Sequence, residues 1–280
     1  MALGIGGIST SSLFAQNALR VNSLLLSRTT SQLSSGNRLI NAGIDPSGLA
    51  MSMMFRSQIG GTEQAIYNTQ DAVNLTRTAE STLNTQGEIL GRMRDISIRS
   101  ANDATLTAQD RTRLNNEFQS LNAELDRTGE ASQFNTKQLT SAVNPYGTKQ
   151  VQATPDNNTA ANPTVTINSS TSATLGTAGQ DISSVAGAQN AITAIDTAMQ
   201  NVANQQVNLG TTENLLQYRT NDLEAMRINM SASNSTLADL DFAQAITEHT
   251  KGTMLSKFAV AAIAQSNAQG LGVLKLLGAG

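Results

Sequence analysis

Seven positions spaced by seven residues, Ile195, Val202, Leu209, Leu216, Leu223, Met230 and Leu237, are all apolar. A strand cannot use such a period. A helix uses it by winding against a partner, because seven residues fall just short of two full turns and the apolar stripe stays in a left-handed coiled-coil seam. A companion position starts at Ile192 and Met199 and turns polar at Gln206, Glu213 and Thr220. The partner must lie in the equally long helices before the insert, packed antiparallel, and residues 47–100 are a long stretch without proline. There Ile59, Ile66 and Val73 recur every seven residues, and Leu83 and Leu90 follow in a shifted phase. At 1.5 Å per residue this helix would be roughly 80 Å long.

Between the two long segments, Thr107-Ala-Gln-Asp110 reads as a capping box opening a third helix with a Leu114, Phe118, Leu121 and Leu125 face. Composition changes after Leu139. Residues 141–186 hold three of the four prolines, only Lys149, Asp156 and Asp181 as charges, and much Thr, Ser, Asn, Ala and Gly. Val165-Thr-Ile167 fits a short strand, but the composition predicts little core, so excision of 148–180 should be tolerated. The chain therefore runs out, turns in this insert and returns. Two further helices lie at the ends. Residues 11–35 show a Phe14, Ala18, Val21, Leu25 face, and 242–277 is Ala-rich with Met254, Leu255, Phe258, Ile263, Leu274 and Leu277 spread round it. Asp239 and Asp241 fit as caps of that last helix. The expected fold class is mainly α, a long antiparallel coiled-coil-like bundle of the N- and C-terminal regions with a small loop- and β-rich surface insert.

Charge and composition narrow the function. Of 280 residues only 14% are charged and 3% aromatic, and the net charge is −3, which does not favour nucleic acid. Residues 1–44 contain Arg20, Arg28 and Arg38 without an acid, and 250–280 contain Lys251, Lys257 and Lys275 without one. Two sparsely charged buried helices, or two ends lining one surface, both account for this. Zero Cys and one His exclude thiolate chemistry and every two-histidine metal site. His249 stands alone, and Met51, Met53 and Met54 read as core filler. No catalytic or cofactor motif is present, so no enzyme and no cofactor is expected. The longest apolar run, Phe258 to Ala264, is too short for a membrane span, and the N-terminus lacks the features of a secretory signal.

Dispersed motifs carry a resemblance. Asn17-Ala-Leu-Arg-Val-Asn-Ser23, Leu33-Ser-Ser-Gly-Asn-Arg38, Asp45-Pro-Ser-Gly-Leu-Ala50, Arg56-Ser-Gln-Ile59 and Phe134-Asn-Thr-Lys137 resemble bacterial flagellin. Asp241-Phe-Ala243, Ala264-Gln-Ser-Asn-Ala268 and Val273-Leu-Lys-Leu-Leu277 resemble its C-terminus. The likeness spans about 1–140 and 188–280. It implies an extracellular helical filament of the bacterial flagellum, built by self-assembly and serving motility, with export through the flagellar type III apparatus without signal cleavage. It also implies an export chaperone, a filament cap and hook-associated proteins as partners. The hook–filament junction protein of the same family is the alternative. In that scheme 1–44 and 238–280 form inner-tube terminal helices, 45–140 and 187–237 an outer helical core, and 141–186 a variable surface insert. Phe14, Val21, Leu25, Met254, Leu255, Phe258, Ile263, Leu274 and Leu277 would form the polymer interface. Positions matching the family's Toll-like receptor 5 contacts are Arg92, Ile96 and Glu117.

If the heptad stripe carries the stability, Leu216→Ala or Leu223→Ala should each cost about 2–5 kcal/mol. Asn221→Ala, on another face, should stay within roughly 0.5 kcal/mol. Thermal melts that ranked the three alike would contradict the seam.

Overall fold

The computed structural model describes residues 3–277 along the backbone and 13–269 with side chains. Six α-helices follow in order: α1 Leu3–Ser35, α2 Pro46–Ser100, α3 Ala108–Ala131, the short α4 Ser172–Leu175, α5 Val185–Ala238 and α6 Phe242–Leu277. Two small antiparallel hairpins pair β1 Gln133–Phe134 with β2 Lys137–Gln138, and β3 Gly147–Gln150 with β4 Thr164–Ile167. The chain forms two compact units, Gln58–Asn229 and the combination of Met1–Ser57 with Met230–Gly280.

Within Gln58–Asn229, α2 and α5 run antiparallel in a single register. Arg77 Nη2 lies 2.7 Å from Glu213 Oε1, Gln206 Nε2 donates to Asn84 Oδ1 at 2.8 Å, and Arg94 Nε meets Asp196 Oδ1 at 2.6 Å. Seven residues up α2, from 77 to 84, match seven down α5, from 213 to 206; the next ten match as well. Such exposed pairs contribute about 0–1 kcal/mol each, so they mark the register and the seam supplies the energy. On α5, Ile195, Val202, Leu209, Leu216 and Leu223 are buried, while Met230 and Leu237, in the other unit, are half-buried. The companion position differs from the expected one. Ala191, Ala198 and Gln205 are buried, whereas Met199 is exposed and Ile192 only half-buried. The small alanines admit close helix approach, so the seam turns toward them.

The α2 seam also differs from its apparent pattern. Its seam row is Thr62, Thr69, Thr76, Leu83, Leu90 and Ser97, with Ala65, Ala72, Ala79, Gln86, Met93 and Ser100 as the companion row, and of the expected positions Ile66 and Val73 are buried beside it while Ile59 is half-buried. Hydroxyl residues continue the leucine row. Each of these hydroxyls turns back onto its own helix. Thr62 Oγ1 donates to Gln58 O at 2.8 Å, Thr69 to Ala65 O at 2.7 Å, Thr76 to Ala72 O at 2.9 Å and Ser97 to Met93 O at 2.8 Å. A buried hydroxyl satisfied this way presents mainly its methyl and methylene surface to the neighbour.

Thr107 and Asp110 form the reciprocal capping box that starts α3. From α3 the buried Phe118 and Leu125 enter the core, with Leu114 and Leu121 packed at its edge. The polar stripe on α3 holds the incoming chain. Asn115 Oδ1 accepts from Ile182 N at 3.0 Å, Gln119 donates to Gln180 O, Asn122 exchanges bonds with Thr177, and Asp126 accepts from Ser172 N and Oγ at 2.7 Å each. Thus 172–182 is strapped antiparallel along α3. The insert is richer in core than its composition implies: Val165, Ile167, Leu175 and Ile182 belong to the main hydrophobic cluster, and Ala153 is fully buried. A few apolar side chains suffice because alternation in β4 points Val165 and Ile167 to the same face.

In the other unit, Asp45 caps α2 by accepting from Gly48 N at 2.8 Å, ahead of Pro46 at the first helical position. A Cβ on Gly48 would lie 2.3 Å from that carboxylate, which explains a glycine there. Gly36, at φ +67°, ends α1 and directs Arg38 N to Ala238 O and Leu240 N to Gly36 O. Met51, Met53 and Met54 are exposed, contrary to the expectation of core filler; the buried residue of this turn is Ser52, whose hydroxyl donates to Asn234 Oδ1 at 2.8 Å.

Two outcomes follow from these contacts. Asn122→Ala should cost about 1–3 kcal/mol by leaving buried Thr177 only its longer bonds to Gln180 N and Ser172 O, and replacing 148–180 should lower the melting temperature further because Val165, Ile167 and Leu175 leave the core. Second, burial and the neighbouring Glu213 raise the Glu80 carboxyl above its ordinary value against the opposing pull of Arg77. A pKa raised by folding adds stability at low pH that is lost as pH rises through the folded value. Glu80→Gln should therefore raise the neutral-pH melting temperature and flatten that pH dependence, both read by calorimetry.

Candidate functional site

The α1–α6 pair divides its surface unexpectedly. The side of α1 that meets α6 carries Ala15, Leu19, Asn22, Leu26, Thr29 and Leu33, at alternating spacings of four and three. The answering side of α6 carries Ala245, His249, Gly252, Ser256, Ala259 and Ile263. These inner rows set Leu19, Leu26, Leu33 and Ile263 among small and polar residues. Asn22 Nδ2 donates to Gly252 O at 2.6 Å within the buried contact, and a Cβ on Gly252 would meet Leu26 Cδ2 at 3.1 Å. Glycine here permits the helices to approach until a side-chain amide reaches backbone.

The more apolar faces point outward. Phe14 is 77% exposed and Phe258 71%, and Val21, Leu24, Leu25, Ile246, Met254, Leu255 and Val260 are exposed too. Two shallow concavities result. One, of about 510 Å³, is lined by Phe14, Ala18, Val21, Leu25 and Leu255; the other, of about 520 Å³, by Ile246, Met254, Leu255 and Phe258. Of the nine residues assigned to an interface from sequence, Phe14, Val21, Leu25, Met254, Leu255 and Phe258 therefore lie on this exposed surface. Ile263 is half-buried in the inner row, and the side chains of Leu274 and Leu277 lie outside the described residues. The inner rows were only partly legible beforehand: Leu19, Leu26 and Leu33 recur every seven residues, whereas Asn22, Thr29 and Gly252 carry no apolar signal.

No titratable group among these lining side chains is arranged for proton transfer, and among the described residues no group of three His, Cys, Asp or Glu could hold a metal ion. No described helix is long and apolar enough to cross a membrane. What such a surface does physically is bury itself. Contiguous exposed apolar area of this kind is the physical signature of an interaction site.

The other sequence-assigned surface is on α2 and α3. Arg92 Nη2 and Glu117 Oε1 form an exposed ion pair at 2.6 Å. Ile96 is 3% exposed and packs into the core, so it does not share a surface with them.

Comparison with known proteins agrees with the helix layout. The bacterial flagellin N-terminal helical region matches residues 8–145, and the bacterial flagellin C-terminal helical region matches 192–277. A flagellin of Halalkalibacterium halodurans is 35% identical over 246 residues, covering 88% of this chain and 89% of that one. The flagellar filament 30.7 kDa core protein of Treponema maltophilum is 33% identical over 278 residues, covering 95% and 97%. The crystal structure of Bacillus cereus flagellin, 29% identical, superposes with a TM-score of 0.50 over 60% of this chain and 94% of its own. With two helical regions matched in order and relatives alike over nearly their full length, the chain belongs to the bacterial flagellin family and is a structural subunit of the flagellar filament.

Proposed function

We propose that the outward faces of α1 and α6 are the polymerisation surface of this subunit, covered in the filament by the same faces of neighbouring copies. The observation that carries the reading is that the chain pairs its own ends through inner rows of leucine, small and polar residues and still leaves Phe14, Val21, Leu25, Met254, Leu255 and Phe258 exposed. An isolated pair of this kind is weakly held, since packing supplies most helical stability. Copies packed side by side supply it. Family resemblance supports 45–140 and 187–237 as the outer helical core and 141–186 as a variable surface insert of the extracellular filament.

The role is mechanical, with no enzymatic step. Family resemblance supports passage through the flagellar type III export apparatus, with an export chaperone before assembly and the filament cap and hook-associated proteins at the filament's ends. It also supports Toll-like receptor 5 recognition through exposed Arg92 and Glu117, with Ile96 acting from the core as a support for α2.

Electron microscopy of salt-induced polymers tests the surface. Wild-type protein should form long helical filaments. Deleting 250–280, or combining Phe14→Ser with Phe258→Ser, should abolish them while the melt of 58–229 is unchanged. Filaments of normal length from the double variant would overturn the assignment. So would strong hydrogen-exchange protection of 13–33 and 253–269 in the dilute monomer, because α1 and α6 would then need no neighbours.

A further inference from the structure

The apolar core of 58–229 is not continuous along the α2–α5 seam. One large cluster extends from Ala72 and Val73 on α2 and Leu216 on α5 through the α3 contacts, and it includes Leu83, Leu90, Phe118, Ile195 and Leu209. A second, small cluster consists of Ala65, Ile66 and Leu223. Between them lie Thr69 and Thr220, both buried. The register of the α2–α5 pairs places position 69 level with 221, one residue from Thr220, so the two threonines fall in one layer. Neither hydroxyl crosses the seam: Thr69 donates to Ala65 O at 2.7 Å and Thr220 to Leu216 O at 3.0 Å, each on its own helix. This layer therefore carries no bond that would tie α2 to α5.

Beyond it, the cluster has three buried apolar members. A loop covers this end: Asn68 Nδ2 donates to Gln152 O at 3.0 Å, Arg219 Nε donates to Ala153 O at 3.2 Å, and Pro155 packs at Gly61. Both chain crossings between the two units, 57 to 58 and 229 to 230, leave through this end. Local opening is easiest where few buried apolar groups hold a segment and where that segment can separate without breaking the main core.

We propose that 58–68 of α2 and 221–229 of α5 form a separate opening unit, a joint bounded by the Thr69–Thr220 layer, that loosens while the rest of 58–229 stays folded. The joint is a property of the folded monomer and holds whether or not the α1–α6 faces polymerise. Opening breaks no bond between Thr69 and Thr220, since none exists, and leaves both hydroxyls satisfied. The layer thus acts as a limit: the seam can part up to it without exposing the large cluster.

Hydrogen exchange of the full-length monomer, followed by mass spectrometry on peptides covering 60–68, 221–229, 86–96 and 191–205, tests this. The first two should exchange at least about tenfold faster than the last two. Thr69→Val with Thr220→Val keeps the shape and joins the two clusters, so exchange of 60–68 and 221–229 should slow about tenfold while 86–96 stays unchanged. Thr69→Ser, which keeps the hydroxyl and removes a methyl, should speed the same two peptides. Equal exchange of all four peptides in the wild type would overturn the proposal, as would a double-valine variant that slowed both sets alike or neither.

Discussion

A hydroxyl bonded to the carbonyl four residues earlier on its own helix is the interaction on which the central seam depends. Thr62, Thr69, Thr76 and Ser97 all make it. Without it, four buried hydroxyls would each need a partner across the seam or would carry a desolvation cost of about 1–3 kcal/mol. With it, a helix of low hydrophobicity lies against the strongly apolar row of α5. Along its row α5 presents an aliphatic side chain at every buried step, whereas α2 presents Thr62, Thr69, Thr76 and Ser97 around Leu83 and Leu90 and adds Ile66, Val73, Met93 and Ile96 beside that row. The companion rows follow the same rule, with Ala65, Ala72 and Ala79 on α2 and Ala191 and Ala198 on α5.

That asymmetry explains what could be read from sequence and what could not. The α5 row was visible because Ile, Val and Leu announce burial by composition and period together. The α2 row was hidden because threonine and alanine are equally at home on a surface. Ile59, Ile66 and Val73 seemed to define a phase of their own, yet they flank the row to which Leu83 and Leu90 belong. Likewise the polar side of α3 reads as a solvated face until its spacing is matched to backbone groups of 172–182. A side chain that bonds a distant backbone leaves no mark in local sequence. The few apolar residues of the insert are similarly quiet, although Val165, Ile167, Leu175 and Ile182 are all in the core.

At the chain ends the misreading runs the other way. The apolar row of α1 was legible, but the partner it faces was not. Hydrophobic periodicity reports that a face is to be covered, without saying whether the same chain or another copy covers it. Here Leu19, Asn22, Leu26, Thr29, Ala245 and Gly252 occupy the intramolecular contact, and Phe14, Val21, Met254 and Phe258 remain outside. The pattern thus held information about assembly that resembled information about folding.

The charge distribution bears on that difference. Arg20, Arg28, Lys251 and Lys257 are exposed on the same two helices as Phe14 and Phe258, and no carboxylate occurs in 1–44 or 250–280. A long Lys or Arg stem can lie along an apolar surface while its head reaches water several ångströms away. Asp and Glu have shorter stems and would lose hydration where helices close together, at a cost that an unpaired charge cannot recover. A helix pair to be surrounded by copies of itself can therefore keep cations more readily than anions. On the proposed polymerisation surface, two sparsely charged buried helices and two ends lining one surface, which the sequence alone leaves as alternatives, become the same arrangement: ends exposed in one subunit would be buried among many.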